Sequence, residues 1–152
     1  MDNFENIKKC NTGEFTNFLT HKEASDYEGC EYIYNNKLII QRTAKITPTK
    51  MGQFVTLWKR SINRITVPIE DIDNVDFVII ICIENDKVGH FLFPRKVLID
   101  KKIMSSKEYK SKGKNGFRVY PIWDKPVSKQ AITTQNWQVK YFNKSLKLNN
   151  LG

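Results

Sequence analysis

Apolar and polar positions change rhythm several times along this chain, and each change predicts an element. In residues 3–23, Phe4, Ile7, Phe15, Phe18 and Leu19 recur at helical spacing, and Thr12-Gly13 breaks them into two short helices. This gives an N-terminal helical segment over residues 1–26. Glu31 to Tyr34 and Leu38 to Ala44 read as strands joined at Asn35-Asn36, a hairpin signal. Thr47-Pro48-Thr49 then stops the strand and offers a helix N-cap, which predicts a helix from Lys50 to Arg60. On that helix Trp58 falls on the apolar side and is expected in the core. Asn63 to Asn74 reads as loop. The run Asp76 to Ile83, with VIIICI at its heart, is apolar on both faces and belongs in the middle of a sheet. Asn85-Asp86-Lys87 turns it back into Gly89 to Phe93. Val97 to Ile99 leads into a loop from Lys101 to Asn115, Phe117 to Tyr120 is a short strand, and Val127 to Phe142 is a final helix. Residues 144–152 are expected to fray. Together these elements predict one α+β domain over residues 1–152, with a central mixed sheet built of hairpins and flanking helices.

Charge changes the picture from scaffold to partner. The net charge is +9 over 152 residues, while the apolar fraction of 40% and charged fraction of 27% fit a globular protein. Such an excess favours phosphate-bearing or other acidic partners. Cys10, Cys30 and Cys82 form no CxxC, and with only His21 and His90 beside them no zinc cluster is expected. Cys82, inside the apolar run, reads as a core residue. The N-terminus lacks an apolar leader and no stretch is long enough to span a bilayer, so a cytoplasmic protein without membrane insertion is expected.

The cations are clustered. Gln41 to Ile69 contains no acid, and its predicted helix would align Thr49, Gln53, Thr56 and Arg60 on one face. Arg42, Lys45 and Lys50 surround the start of that helix, where free N–H groups suit a phosphate. A second cluster, Lys101 to Arg118, sets seven cations against Glu108 alone. In the final helix Trp137 and Tyr141, one turn apart, lie with Gln130, Thr133, Thr134 and Lys140. They are either buried under Tyr120 and Trp123 or exposed to stack on bases. Hydrolase, P-loop, HExxH and zinc-deaminase motifs are absent. No catalytic residue, metal or cofactor is expected. The acidic loop Glu70-Asp71-Ile72-Asp73 reads as a counterweight to nearby lysines.

Four blocks carry a resemblance: RTAKITPTKMGQFVTLWKR, FLFPRKVL, GFRVYPIWDKP and QNWQVKYF. They resemble the signature blocks of the MepB-like family over residues 27 to 143. This resemblance implies a bacterial cytoplasmic protein, encoded with a multidrug efflux pump and its repressor and linked to drug or stress response, with no established activity. At the level of fold, a helix, a hairpin whose strand ends in a lysine, and then a helix bearing glutamine resemble the restriction-endonuclease-like PD-(D/E)xK core. That resemblance puts Lys45 in the place of the catalytic lysine and Gln53 in that of the glutamine. Thr43 stands where the second metal-binding carboxylate belongs, and Glu28 or Glu31 would supply the first, a poor Mg²⁺ site. The resulting expectation is a nucleic-acid-binding protein, for DNA rather than RNA, without strong sequence preference and without catalysis. Arg42, Lys45, Lys50, Arg60, Arg118 and Lys125 would hold phosphates, Gln53 would bond phosphate or base, and Trp137 and Tyr141 would stack. The alternatives are a metal-dependent nuclease, and an accessory protein that binds an acidic small ligand or a protein. Nothing in the sequence specifies an oligomeric state.

Overall fold

In the computed structural model, which describes residues 2–148 and 151, the chain forms one six-stranded sheet and two small antiparallel sheets. Helix α1 (Asn3–Cys10) is capped by the Asp2 carboxylate, which accepts from Phe4 N–H at 2.9 Å. Strands β1 (Phe15–Thr20), β2 (Cys30–Tyr34) and β3 (Lys37–Thr43) follow, with a 3₁₀ turn at Lys22–Tyr27. Next come β4 (Lys45–Ile46), β5 (Gln53–Thr56), β6 (Trp58–Arg60) and β7 (Thr66–Pro68). The chain continues with β8 (Phe77–Glu84), β9 (Lys87–Pro94), α2 (Arg95–Asp100), β10 (Gly116–Val119), α3 (Lys129–Gln138) and β11 (Phe142–Asn143).

The large sheet runs β1-β2-β3-β8-β9-β11, antiparallel everywhere except at β3–β8, where Ile39 faces Phe77 and Thr43 faces Ile81 in parallel. Asn35 and Asn36 hold φ of 50° and 62°, the left-handed pair that a two-residue hairpin turn requires. Strand β8 is buried on both faces, and its alternation splits it between two cores. Val78, Ile80 and Cys82 join Phe91, Phe93, Leu98 and the small sheet β10-β5-β4. Ile79 and Ile81 join Tyr32, Ile39 and the α1 residues Phe4 and Ile7. The expected α+β architecture, with this run at the middle of a mixed sheet, is what the chain adopts. No helix among the described residues is long and apolar enough to cross a membrane.

Several segments depart from expectation, among them β7 within the expected loop and β11 at the end of the expected final helix. Lys50 to Arg60 is not a helix: Gln53, Val55 and Leu57 are buried while Phe54, Thr56 and Trp58 are half-buried, the alternation of strands. Gly52 at φ 85°, with Tyr120 packed on it, makes a turn that no helix accommodates. Hence Thr49, Gln53, Thr56 and Arg60 share no face, and no helix N-terminus lies there. The second N-terminal helix is instead β1, an edge strand with a bulge between Thr16 and Leu19. The tail does not simply fray. Leu146, Leu148 and Leu151 are buried, and Asn11 clamps the segment by donating to Leu146 C=O at 2.8 Å and accepting from Leu148 N–H at 2.7 Å. Residues 149, 150 and 152 of that tail lie outside the described residues.

Candidate anion-binding site

The cations gather where β10, α3 and the Lys101–Asn115 loop meet. Arg118 projects from β10, opposite Phe54 of β5. Its Nη2 donates to Thr47 Oγ1 at 2.6 Å and its Nη1 to Met51 C=O at 3.3 Å, so it ties down the β4–β5 connection that carries Lys50. Lys101 follows α2 and sets its Nζ 5.2 Å from the centre of the Trp137 ring. Lys114 is fixed by a main-chain bond to Ile103 C=O at 2.9 Å. Helix α3 starts at Ser128, whose hydroxyl accepts from Ala131 N–H at 3.1 Å. Between these elements lies a cavity of about 440 Å³. Lys50, Lys101, Lys114 and Arg118 line it with Tyr120, Ser128, Gln130, Thr134 and Trp137, over a floor that includes Ile103 and Phe117.

No acidic residue is in its wall. Ion pairs among the described residues are Lys8–Glu5, His21–Glu31 and Lys59 with Glu70 and Asp73, so none of the four cleft cations has a carboxylate partner. Four like charges around one depression repel one another and create a positive potential that an anion relieves. The wall is held from behind by Gln138, which is fully buried. Its Oε1 accepts from Tyr120 N–H and its Nε2 donates to Arg118 C=O, both at 2.9 Å. One turn earlier, Gln135 Nε2 donates to Pro121 C=O at 3.0 Å and Asp124 C=O at 2.8 Å. Two amides of α3 thus fix the main chain on which Arg118 and Tyr120 sit.

Of the residues singled out from sequence, Lys50, Arg118 and Trp137 meet in this cavity. Arg42 does not. It has no exposed surface, on the β3 face shared with Ile40 and Ala44, so it touches no external phosphate. Its Nη1 donates to Gln41 C=O at 3.0 Å, while Nε and Nη2 have no partner. Burial pushes its pKa down to about 10, which leaves it charged at neutral pH. Gln53 is also interior, with Nε2 3.4 Å from Ile83 C=O. Lys45 is exposed on β4, its Nζ 4.8 Å from the Tyr27 ring centre. Arg60 lies over Trp58 at 5.0 Å and donates to Thr66 Oγ1 at 3.2 Å, so Trp58 is a half-buried platform rather than a core residue. Lys125 is exposed outside the cavity.

The final-helix aromatics are half-buried, and Trp137 lines the cavity together with Tyr120. Trp137 packs on Phe93 with ring centres 5.6 Å apart, and Tyr141 on the same ring at 6.0 Å. Trp123 instead meets Phe142 and donates to Glu84 at 3.0 Å. The acids considered for a metal are engaged. Glu28 Oε1 accepts from Thr43 Oγ1 at 2.8 Å and Asn3 Nδ2 at 2.6 Å, and Glu31 Oε1 lies 2.7 Å from His21 Nε2. Among the described residues no group of three or more His, Cys, Asp or Glu is placed to hold a metal ion. Sequence reasoning placed the loop lysines in a basic cluster yet missed Ser128 and Gln138. Ser128, three residues before an Ala-Ile pair, carried a legible N-cap signal, whereas Gln138 carried none.

The class is therefore an α+β domain in which a mixed six-stranded sheet supports a smaller sheet and a helix, with an acid-free cationic cleft between them. Within that class the chain belongs to the MepB-like family, whose family model matches residues 21–144. It is similar to the crystal structure of MepB with a TM-score of 0.82 and 38% sequence identity, over 88% of this chain and 89% of that one. No match was found among curated proteins.

Proposed function

We propose that this protein binds nucleic acid by seating backbone phosphates in the cleft of Lys50, Lys101, Lys114 and Arg118. The observation that carries the reading is the set of four cations without a carboxylate in a wall that contains no acid. Arg118 is held in place by Thr47, so its remaining guanidinium edge is oriented before a ligand arrives. Trp137 serves as a wall and a perch for Lys101 rather than as a platform for bases.

Oligonucleotide titration at two salt concentrations tests this. Four phosphate contacts give a slope of about −3.6 in log affinity against log salt, so affinity falls roughly 150-fold between about 50 and 200 mM. Lys50→Ala with Lys114→Ala removes two exposed cations and should halve the slope to about −1.8. Affinity that ignores both salt and the double variant would exclude the reading. A small phosphorylated ligand is the second reading, because the cavity volume of about 440 Å³ lies in the range of ligand pockets. Calorimetry with ADP in place of an oligonucleotide distinguishes the two.

A further inference from the structure

Strands β6 and β7 form a two-stranded ribbon whose tip, Ser61–Ile65, is ordered by its own bonds. Ser61 N–H donates to Ile65 C=O, and Arg64 N–H to Ser61 C=O, each at 2.9 Å. Arg64 adopts φ 61° to close the turn. On this fixed tip Ile62 is 100% exposed and Ile65 61% exposed. Arg60, Asn63 and Arg64, all exposed, flank them along the chain, with Arg60 resting on Trp58. Of the acids nearest in sequence, Glu70 and Asp73 are held by Lys59 at 3.0 and 2.7 Å and Asp71 accepts from Ser106 Oγ at 2.8 Å, so none of the three pairs with the tip arginines. The ribbon is rooted beside the cleft, since Leu57 N–H donates to Asn115 C=O at 2.8 Å and the next residue back is Lys114. Strand β6 carries the chain from that root to the turn that holds Ile62.

From this geometry we infer that the β6–β7 tip enters the minor groove of a DNA duplex held by the cleft and wedges Ile62 between base pairs. This inference rests on the proposed nucleic-acid reading and adds the duplex and its distortion. Proteins that deform DNA from the minor groove combine Arg and Asn with an inserted apolar side chain, and the tip supplies all three. A protein partner fits less well, because the cores of protein interfaces are poor in charge and rich in aromatics. A bilayer fits less well too, because two isoleucines make far less than the broad apolar face of an interfacial anchor. An undistorted minor groove is only about 6 Å wide, so the ribbon tip enters as the inserted Ile62 opens the base step and widens the groove.

The experiment uses the full chain and a duplex labelled at both ends for energy transfer, matched or carrying one mismatch. Wild type should shorten the end-to-end distance, consistent with a kink on the order of 20–90°. It should also prefer the mismatched duplex by roughly tenfold or more, because unstacking there costs least. Ile62→Ser, at a fully exposed position, should fold as the wild type does in thermal unfolding. It should keep affinity within about tenfold, because phosphates dominate binding, and lose both the kink and the mismatch preference. A duplex bound straight, in a manner sensitive to Lys50→Ala/Lys114→Ala, would overturn the wedge and leave the cleft reading standing. A kink that persists in Ile62→Ser would do the same. Absence of any salt-dependent binding would overturn both. Sedimentation with phosphatidylglycerol vesicles that depends on Ile62 would replace the duplex with a lipid surface.

Discussion

Arg42 and Arg118 each carry a guanidinium on a strand, and the position of the strand gives them opposite roles. Strand β3 lies inside the large sheet between β2 and β8, and Arg42 is desolvated to the point that its pKa falls to about 10 with two nitrogens unpartnered. Strand β10 is the edge of the small sheet, and Arg118 keeps part of its surface in the cleft while it fastens the Lys50 connection. In the interior a positive charge is a cost that packing must offset. At the margin the same charge, left without a carboxylate, remains available to a ligand. Counting bases in a basic run does not separate these cases, whereas burial does.

The largest expected effect breaks the comparison on the Arg42 side. Arg42→Ala should cost about 2–5 kcal/mol of stability in urea denaturation, the range for large-to-small core changes. Arg42→Met fills the same space without the buried charge, and should match wild type or exceed it by about 1–4 kcal/mol. Neither should change oligonucleotide affinity per folded molecule. A Met variant as unstable as the Ala variant would show that the charge itself is needed.

An intermediate effect sharpens the Arg118 side. Gln138→Ala leaves Tyr120 N–H and Arg118 C=O without partners, at about 1–3 kcal/mol each. The Arg118 backbone then loses its support, and the salt slope of binding should become shallower. Gln138→Glu keeps the acceptor for Tyr120 but buries a carboxylate against Arg118 C=O, so it should cost at least as much as Ala.

The smallest effect concerns a charge of the opposite sign in the turn before α3. Burial first, and the neighbouring Glu84 second, raise the Asp124 pKa from 3.8 to about 6, against a lowering by Lys87. Between those values the folded state holds a proton that the unfolded chain has released, so stability falls as pH rises through this window. Above about pH 6 the penalty is complete. Asp124→Asn should therefore raise the thermal midpoint at pH 7, and the difference from wild type should vanish near pH 3.8. A difference that grows toward acid pH would mean the carboxylate is instead stabilised in the fold.

How much of this was legible depended on whether a local rule had a competitor. Asn35-Asn36 and the VIIICI run had none, and both hairpins of the large sheet appear where the sequence puts them. Residues 51–58 satisfied two periods at once, since Met51, Phe54, Val55, Leu57 and Trp58 fit a helical stripe while Gln53, Val55 and Leu57 fit a strand. The β-branched and aromatic content and the turn at Gly52 favoured the strand. The cleft was legible only as two basic clusters. Lys50 and Arg118 are brought together by the pairing of β10 with β5, more than 60 positions apart, and no local pattern encodes that register.

The two bonds of Gln138 also bear on how the protein behaves when damaged. They occupy the outward-facing groups of β10 with an amide from a helix, much as a neighbouring strand would. If α3 lifts, through heat, truncation or a poor substitution, the cleft loses a wall and a bare strand edge is exposed in the same event. Unpaired edges recruit the edges of other molecules. For this chain the onset of aggregation should therefore coincide with the loss of the cleft, and should precede the unfolding of the large sheet.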